Sequence, residues 1–574
     1  MPVSSGPIPL PLRGWLRPMT AGAVAAASAV LLVPSSSVRA QEPLPPRSSP
    51  VGATTEPHPV PPMVTDLGVP KVARGDRSAT AAQLGDDQAR GAPLVAHLRQ
   101  PLTHEFSMVG VTWDAGTAAE GTTVSVRSRS EDTWTAWTAL DFDPEEGPAP
   151  AEDASVRDGT APAWVGQATG VEVAVYSPDG SAPAHLVVGA IDPGTSTYDT
   201  TATSAPPAAP SAQPGPEAGT FPNLPHVVTR SEWGVDLSLG DRCWNPRIGE
   251  AFKMVFVHHT AGSNDYTRAE AAAVVRGVYA YHTQSRGWCD IGYNFLVDRY
   301  GNLYVGRRGG MRLPVRGSHA GDYNVNTTGI ALMGKFTSQP ATRPMKHSLV
   351  QLIAWRMGTA YHGAYHGPRV HGKRFHRISG HSDAMSTTCP GDQVYAWLPT
   401  LRERVATRLG NYESVIEARW IALGGGNSRL GGVHIGEQGE NGGRHTTFQT
   451  GRMYSSGAEL HTLYRGPILG KYRKVGETDG TLGYPRSNVR PTVGHTGLSA
   501  DFDGGRIYNS AATGSVVLVH SAILKRYRAE GSAAGRLGFP IGPVHSTKTG
   551  SLARFQHGTI SRDTGARKTV VSYS

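Results

Sequence analysis

The stretch "GHSDAMSTTCPGD", residues 380–392, sets a thiol, Cys389, eight positions after an imidazole, His381, with Asp383, Thr387 and Thr388 between them. Upstream, "VFVHHTAG" carries an apolar run into His258. Two imidazoles and a thiolate are the donor types of a tetrahedral zinc site whose fourth position stays open to water. Such a site performs Lewis-acid hydrolysis: it polarises a carbonyl and lowers the pKa of water to about 7. The spacing alone leaves other readings of Cys389 open, as a buried small hydrophobe or a nucleophile, because zinc motifs usually pair their ligands more tightly. His362, His366, His371 and His376 recur every four or five residues and read as a histidine-rich surface tract rather than ligands. The chain has three cysteines in all, Cys243, Cys289 and Cys389. In an oxidising compartment two of the three should pair, leaving one to explain.

The elements that must position these residues follow from periodicity. Over 223–410 strand and helix patterns alternate. "MVFVHH", "DIGYNFLVD", "NLYVGR" and "TGIALMG" read as strands. "TRAEAAAVVRGVYAYH" reads as a helix, with a capping box from Thr267 and Glu270 and an apolar face of Ala271, Val274, Val275, Val278 and Tyr281. Leu349, Leu352, Ile353, Met357 and Ala360 stripe a second helix, and Val394, Trp397, Leu398, Leu401 and Val405 a third. The expected fold is an α/β domain, a mixed sheet flanked by helices.

A chain of 574 residues is too long for one core and implies three or four domains. Residues 1–40 have the layout of a signal peptide: Arg13 and Arg17, then an apolar run too short to span a bilayer, then small Val38 and Ala40 before the cut. Residues 41–90 are rich in Pro, Ser and Thr and read as a disordered linker. Residues 91–192 hold short alternating runs split by Gly, Asp and Pro, the pattern of a β-sandwich-like domain. A Pro/Ala-rich linker is expected over 193–222. In the tail, 413–574, "LGYP" at 482–485 returns as "LGFP" at 537–540, with a degenerate "LGGV" at 430–433. Each is followed by an aromatic-glycine unit beginning at Phe448, Phe502 or Phe555, so three repeat units are expected.

Four blocks in order, "VFVHHTAG", "CDIGYNFLVDRYGNLYVGR", "GSHAGDYNVNTTGIALMG" and "GHSDAMSTTCPGD", resemble the peptidoglycan recognition protein and type 2 amidase family. The resemblance covers 223–410. It implies a zinc-dependent N-acetylmuramoyl-L-alanine amidase, which cuts the amide between the lactyl group of MurNAc and the L-alanine of the peptide stem. Carried over position by position, it implies Zn2+ held by His258, His381 and Cys389, a catalytic Tyr293 in "GYNF", and a catalytic Thr387. It also implies His319 and Asn324 as substrate-groove residues. Related binding-only members lack the cysteine ligand, so its presence favours an enzyme over a non-catalytic recognition protein. A neighbouring amidase branch has a glutamate base where this chain has Ala331, so proton handling must come from elsewhere. Arg307, Arg308, Arg312 and Arg316 are candidates for stem-peptide carboxylates.

With Cys389 taken as a ligand, Cys243 and Cys289 remain as a disulfide. It would close a loop of about 46 residues, worth on the order of 4 kcal/mol in the chain-entropy model. The tail resembles cell-wall-associated LGFP repeats of actinobacteria, which implies wall polymers as a second partner, bound with avidity from tandem units. A net charge of +9 suits anionic wall polymers. The basic residues are dispersed and nothing reads as a nucleic-acid recognition element. A secreted, wall-associated protein without a membrane span in its mature form is the expectation.

Overall fold

The computed structural model describes residues 59–85, 91–144, 146–148, 156–201, 223–243 and 245–574, all within one compact unit. The expected signal peptide and residues 202–222 of the expected Pro/Ala linker lie outside these residues. Three kinds of domain are present, as the sequence patterning requires.

The amino-terminal domain is built on an eight-stranded antiparallel sheet. Its main path runs Met63–Gly68, Val187–Asp192, Leu94–Asp114, Ala163–Tyr176, Thr123–Ser130 and Thr133–Trp134. The long strand Leu94–Asp114 shifts register between Pro101 and Phe106. It pairs with Ala163–Tyr176 along its length and with Val187–Asp192 over its second half. Val95, Val109, Val111, Trp113, Val124, Val126, Val173 and Val188 fill one core. The domain starts earlier than the 91 expected. Strand Met63–Gly68 pairs with Val187–Asp192, and Leu84 of helix Arg77–Leu84 packs with Leu94 and Tyr176. Both elements fall in the stretch expected as a disordered linker. No position of the strand is fully buried, and Met63, Asp66 and Gly68 are exposed, so it lacks the apolar alternation that marks a core strand.

The central domain is a five-stranded mixed sheet. Its order is Leu303–Val305, Phe295–Val297, Thr327–Leu332, Met254–His259 and Ile378–Gly380. Met254–His259 lies between two parallel neighbours and all six of its residues are buried, as expected for an interior parallel strand. Helices Arg343–Thr359 and Asp392–Leu409 cover one face. Leu349, Leu352, Ile353, Met357 and Ala360 share a core with Val394, Leu398, Leu401 and Val405. On the other face lies helix Ala271–Ala280. Its capping box forms: the Thr267 amide donates to Glu270 Oε2 at 2.6 Å and the Glu270 amide donates to Thr267 Oγ1 at 3.3 Å.

That helix is buried on every side because the amino-terminal domain covers what the sheet does not. Met108, Trp164 and Ile191 join its core. Two close approaches need glycine. A Cβ at Gly110 would stand 2.3 Å from the Tyr281 ring, and one at Gly277 would stand 2.8 Å from Met108 Sδ. The Tyr281 hydroxyl donates to the Thr160 carbonyl at 2.7 Å. Buried Arg276 donates to the Pro193 and Gly194 carbonyls and pairs with Asp199. The stretch 193–201, expected as linker, is therefore fastened to the central domain by Arg276 and by Tyr198, which packs against the core around that helix.

The tail holds three four-stranded antiparallel sheets spanning Val433–Tyr464, Arg490–Val519 and His545–Tyr573. In the two clearest repeats the glycine of the motif has positive φ, +59° at Gly483 and +68° at Gly538. Its carbonyl accepts from a buried tyrosine hydroxyl, Tyr472 at 2.6 Å and Tyr527 at 2.7 Å. The first unit is not separate from the central domain. Ile416, Trp420, Val433, Phe448 and Met453 lie in the same core as the sheet and its two covering helices. The boundary expected at 410 is thus a covalent connection within one hydrophobic core.

Candidate metal centre and its surroundings

His258 and His381 sit at the carboxyl ends of adjacent parallel strands, where side chains of an open α/β sheet converge. His258 belongs to Met254–His259, and His381 follows Ile378–Gly380 in a tight turn. The turn is fixed by Asp383, whose carboxylate accepts from the Gly380 amide at 2.9 Å and the Tyr395 hydroxyl at 2.6 Å. The Ser382 amide donates to the Cys389 carbonyl at 2.9 Å, which folds the thiol back beside both rings. The result is that one donor atom from each of His258, His381 and Cys389 lies within 4.8 Å of the others, all three buried. Cys389 is a free cysteine.

The geometry fits a thiophilic divalent ion. Cys389 Sγ is 3.6 Å from His258 Nδ1 and accepts from the His259 amide at 3.4 Å. The other ring nitrogen of His258, Nε2, is 3.0 Å from His319 Nδ1. His381 Nδ1 is buried without a hydrogen bond among the described residues, its nearest charged neighbour being Asp143 Oδ2 at 3.4 Å, so it has a lone pair or proton that a ligand could satisfy. Burial holds the His258 imidazole well below its usual pKa, with the neighbouring His381 and His319 adding to the effect. It therefore stays neutral, as a ligand must. Burial also pushes the Cys389 thiol well up, with Asp143 second. A bound cation reverses that balance, because a coordinating thiol is deprotonated outright.

His319 stands differently from expectation. It is fully buried behind His258 rather than lining a groove, and it is clamped between glycines. A Cβ at Gly317 or Gly329 would fall 2.2 or 2.3 Å from its ring. Its place beside His258 is the one that outer-shell partners of metal-binding histidines take. Asn324 is also buried. Its Oδ1 accepts from the amides of His319 and Ala320 at 2.8 and 3.0 Å. Tyr293 places its ring 5.6 Å from the His258 ring, on the strand-side wall of the cluster. Thr387 Oγ1 accepts from the Cys389 amide at 3.1 Å. Of the arginines singled out, Arg307 is buried against Ser318 and Cys289 and Arg312 reaches the Glu437 carbonyl. With Arg247, Arg316, Trp288 and Pro148, Arg308 lines a cavity of about 150 Å3. The side chain of Cys243 lies outside the described residues.

The sequence reading missed several neighbours of this centre: Met385, whose Sδ lies 3.3 Å from His381 Nε2, and three residues from the amino-terminal domain. Asp143 Oδ2 accepts from the Thr387 hydroxyl at 2.5 Å and lies 3.4 Å from His381 Nδ1. The Glu146 carboxylate accepts from the Tyr293 hydroxyl. The Gly147 carbonyl accepts from Asn324 Nδ2 at 3.0 Å. The only trace of these three in the sequence is an acid-rich Pro/Gly loop, "DFDPEEG" from Asp141, whose spacing relates to nothing in 258–389.

Comparison with known proteins agrees with this layout. Residues 249–392 match the family model described as N-acetylmuramoyl-L-alanine amidase. Residues 53–213 match that of the Rv3811 N-terminal galactose-binding domain-like region, and 482–535 that of the LGFP repeat. Peptidoglycan-recognition protein SC1a/b of Drosophila simulans is 34% identical over 172 residues, 30% of this chain and 82% of that protein. Mouse peptidoglycan recognition protein 1 is 33% identical over 171 residues, 29% and 84% of the two chains. Among solved structures, the endolysin N-acetylmuramoyl-L-alanine amidase LysCS from Clostridium intestinale is 25% identical, covering 30% of this chain and 91% of that one, with a TM-score of 0.22.

Proposed function

The chain belongs to the peptidoglycan recognition protein and type 2 amidase family and carries LGFP repeats in its tail, and from that premise we propose that it is a secreted, zinc-dependent N-acetylmuramoyl-L-alanine amidase. The observation that carries this reading is the buried triangle of His258, His381 and Cys389. These three residues would hold the ion. When bound, zinc supplies Lewis acidity toward the scissile carbonyl and acidifies water. The chain's own groups do the rest. His319 keeps His258 Nδ1 turned toward Cys389. The Tyr293 hydroxyl donates to the oxyanion that develops on the lactyl carbonyl, and Thr387 steadies the loop that carries the thiol. One such donor is worth about 3–4 kcal/mol in the transition state. Ala331 supplies no base, so the proton passes through Tyr293 or solvent. The arginine-lined cavity suits the carboxylates of a peptide stem. Wall polymers are the proposed partner of the tail. A Cys243–Cys289 bridge, consistent with a free Cys389, would pin the segment leading to Tyr293.

Mass analysis of muropeptides before and after treatment of purified walls tests the activity. A mass change that reports cleavage between the lactyl group and L-alanine, abolished by a chelator, is the expected result. Cys389→Ala should lose zinc and activity together. Tyr293→Phe should keep its zinc and lose turnover by roughly 100- to 1,000-fold. A fully active Cys389→Ala protein ends the zinc proposal. The alternative reading, peptidoglycan binding without hydrolysis, is favoured by one observation: the centre is closed to solvent as it stands. Wall binding with no muropeptide released under any condition would establish it.

A further inference from the structure

A hydrolytic zinc site needs an open face, and this one has none. His258, His319, His381 and Asn324 are 0% exposed, Tyr293 3% and Cys389 6%. What closes it is a single loop, entered from strand Thr138–Leu140 of the amino-terminal domain. Lys335 of the central domain pairs with Asp141 at 2.8 Å at the root of that loop. Beyond it, Asp143 takes the Thr387 hydroxyl, Glu146 takes the Tyr293 hydroxyl and the Gly147 carbonyl takes Asn324. Gly147, at φ +148°, lies so close to Trp288 that a Cβ would meet the indole at 3.3 Å. The Tyr293 hydroxyl, the donor that the proposed reaction needs, is already engaged by a carboxylate of the same chain.

We propose that the loop carrying Asp143, Glu146 and Gly147 is an inhibitory plug, seated over the centre by the amino-terminal domain, and that a substrate strand enters only when the loop is lifted. The proposal rests on the amidase reading for its consequence, though not for its geometry. Two features set it apart from a loop that completes the site. The Tyr293 hydroxyl cannot donate to a substrate oxyanion while it donates to Glu146. And the loop engages Thr387, Tyr293 and Asn324 at once, through Asp143, Glu146 and the Gly147 carbonyl. The rest of the interface is built to stay. Tyr281 over Gly110, Met108 over Gly277 and the Arg276 cluster hold the two domains together away from the centre. The loop is thus a movable part on a fixed mount.

The test uses the full chain with two variants, Asp143→Ala/Glu146→Ala and Gly147→Val. The first removes two acceptors, and the second forces a branched side chain against Trp288. In protein freed of metal by chelation, alkylation of Cys389 by N-ethylmaleimide, located by mass spectrometry, reports whether the centre is covered. Loss of two hydrogen bonds should accelerate labelling by about tenfold or more, and zinc-loaded variants should release muropeptides faster by a similar factor. Faster labelling with no release from any protein would support the plug while ending the amidase reading. Labelling unchanged in both variants would overturn the plug. Faster labelling with lower activity in both variants would overturn inhibition and make the loop part of the catalytic site.

Discussion

His319 illustrates what a single side chain contributes to this centre. It touches no expected substrate position, yet its Nδ1 is 3.0 Å from His258 Nε2, so it decides which nitrogen His258 turns toward Cys389. His319→Ala should lower zinc affinity by roughly 10- to 100-fold, measured by competition with a chromophoric chelator, with the fold intact by circular dichroism. A variant that binds zinc as well as the parent would return His319 to an ordinary core role. His258, His381 and Cys389 were legible in the sequence because each lies in a block with a characteristic neighbourhood. The role of His319 was not, because "GSHAGD" looks like a polar loop and only the fold reveals the glycine clamp around the ring. Asp143 and Glu146 left even less trace. Their partners lie more than a hundred residues away, and the docking of two domains brings them together.

At the scale of elements, helices striped with leucine and valine appear where periodicity puts them, because a 3.6-residue repeat leaves few alternative burials. The weak elements escape. Met63–Gly68 is a partly exposed strand whose pairing, not its pattern, makes it structured. The first tail sheet offers a test at this scale through His445 on strand Gly443–Phe448. Burial first, then Arg452 and Arg312, lowers its pKa to about 4, against about 6.5 in an unfolded chain. Between those values the unfolded state binds a proton that the folded state refuses, so stability present above pH 6.5 falls as pH drops toward 4. His445→Gln should remove that slope. Going from pH 6.5 to 5.0, the parent should lose about 1.6 kcal/mol more than the variant, read by urea unfolding at the two pH values. Equal losses would show that His445 takes up its proton while folded.

The whole molecule is more unified than its domain boundaries suggest. The sequence reading ends the central domain at 410 and starts the tail at 413, because periodicity carries no information about which core a later strand joins. Tyr361 of the central domain donates to Glu437 at 2.5 Å and lies 2.7 Å from Thr446, both in the first tail sheet, and its ring lies 5.6 Å from that of Trp420. A chain ended at residue 410 loses Ile416, Trp420, Val433, Phe448 and Met453 from its core. At about 1.5–3 kcal/mol for each large apolar side chain, that is comparable with the whole margin by which most domains are folded. The truncated protein should fail to accumulate in soluble form. A soluble, cooperatively melting product would show that the tail merely rests against the core. The same union has a mechanical outcome. If the tail grips a wall polymer and the centre hydrolyses as proposed, the face carrying His258, His381 and Cys389 is held at a set angle to that polymer, like a blade riveted to its handle rather than hung from a cord. Each anchored molecule then reaches only the bonds presented along one bearing, and cuts cluster beside the anchor points instead of scattering across the sacculus.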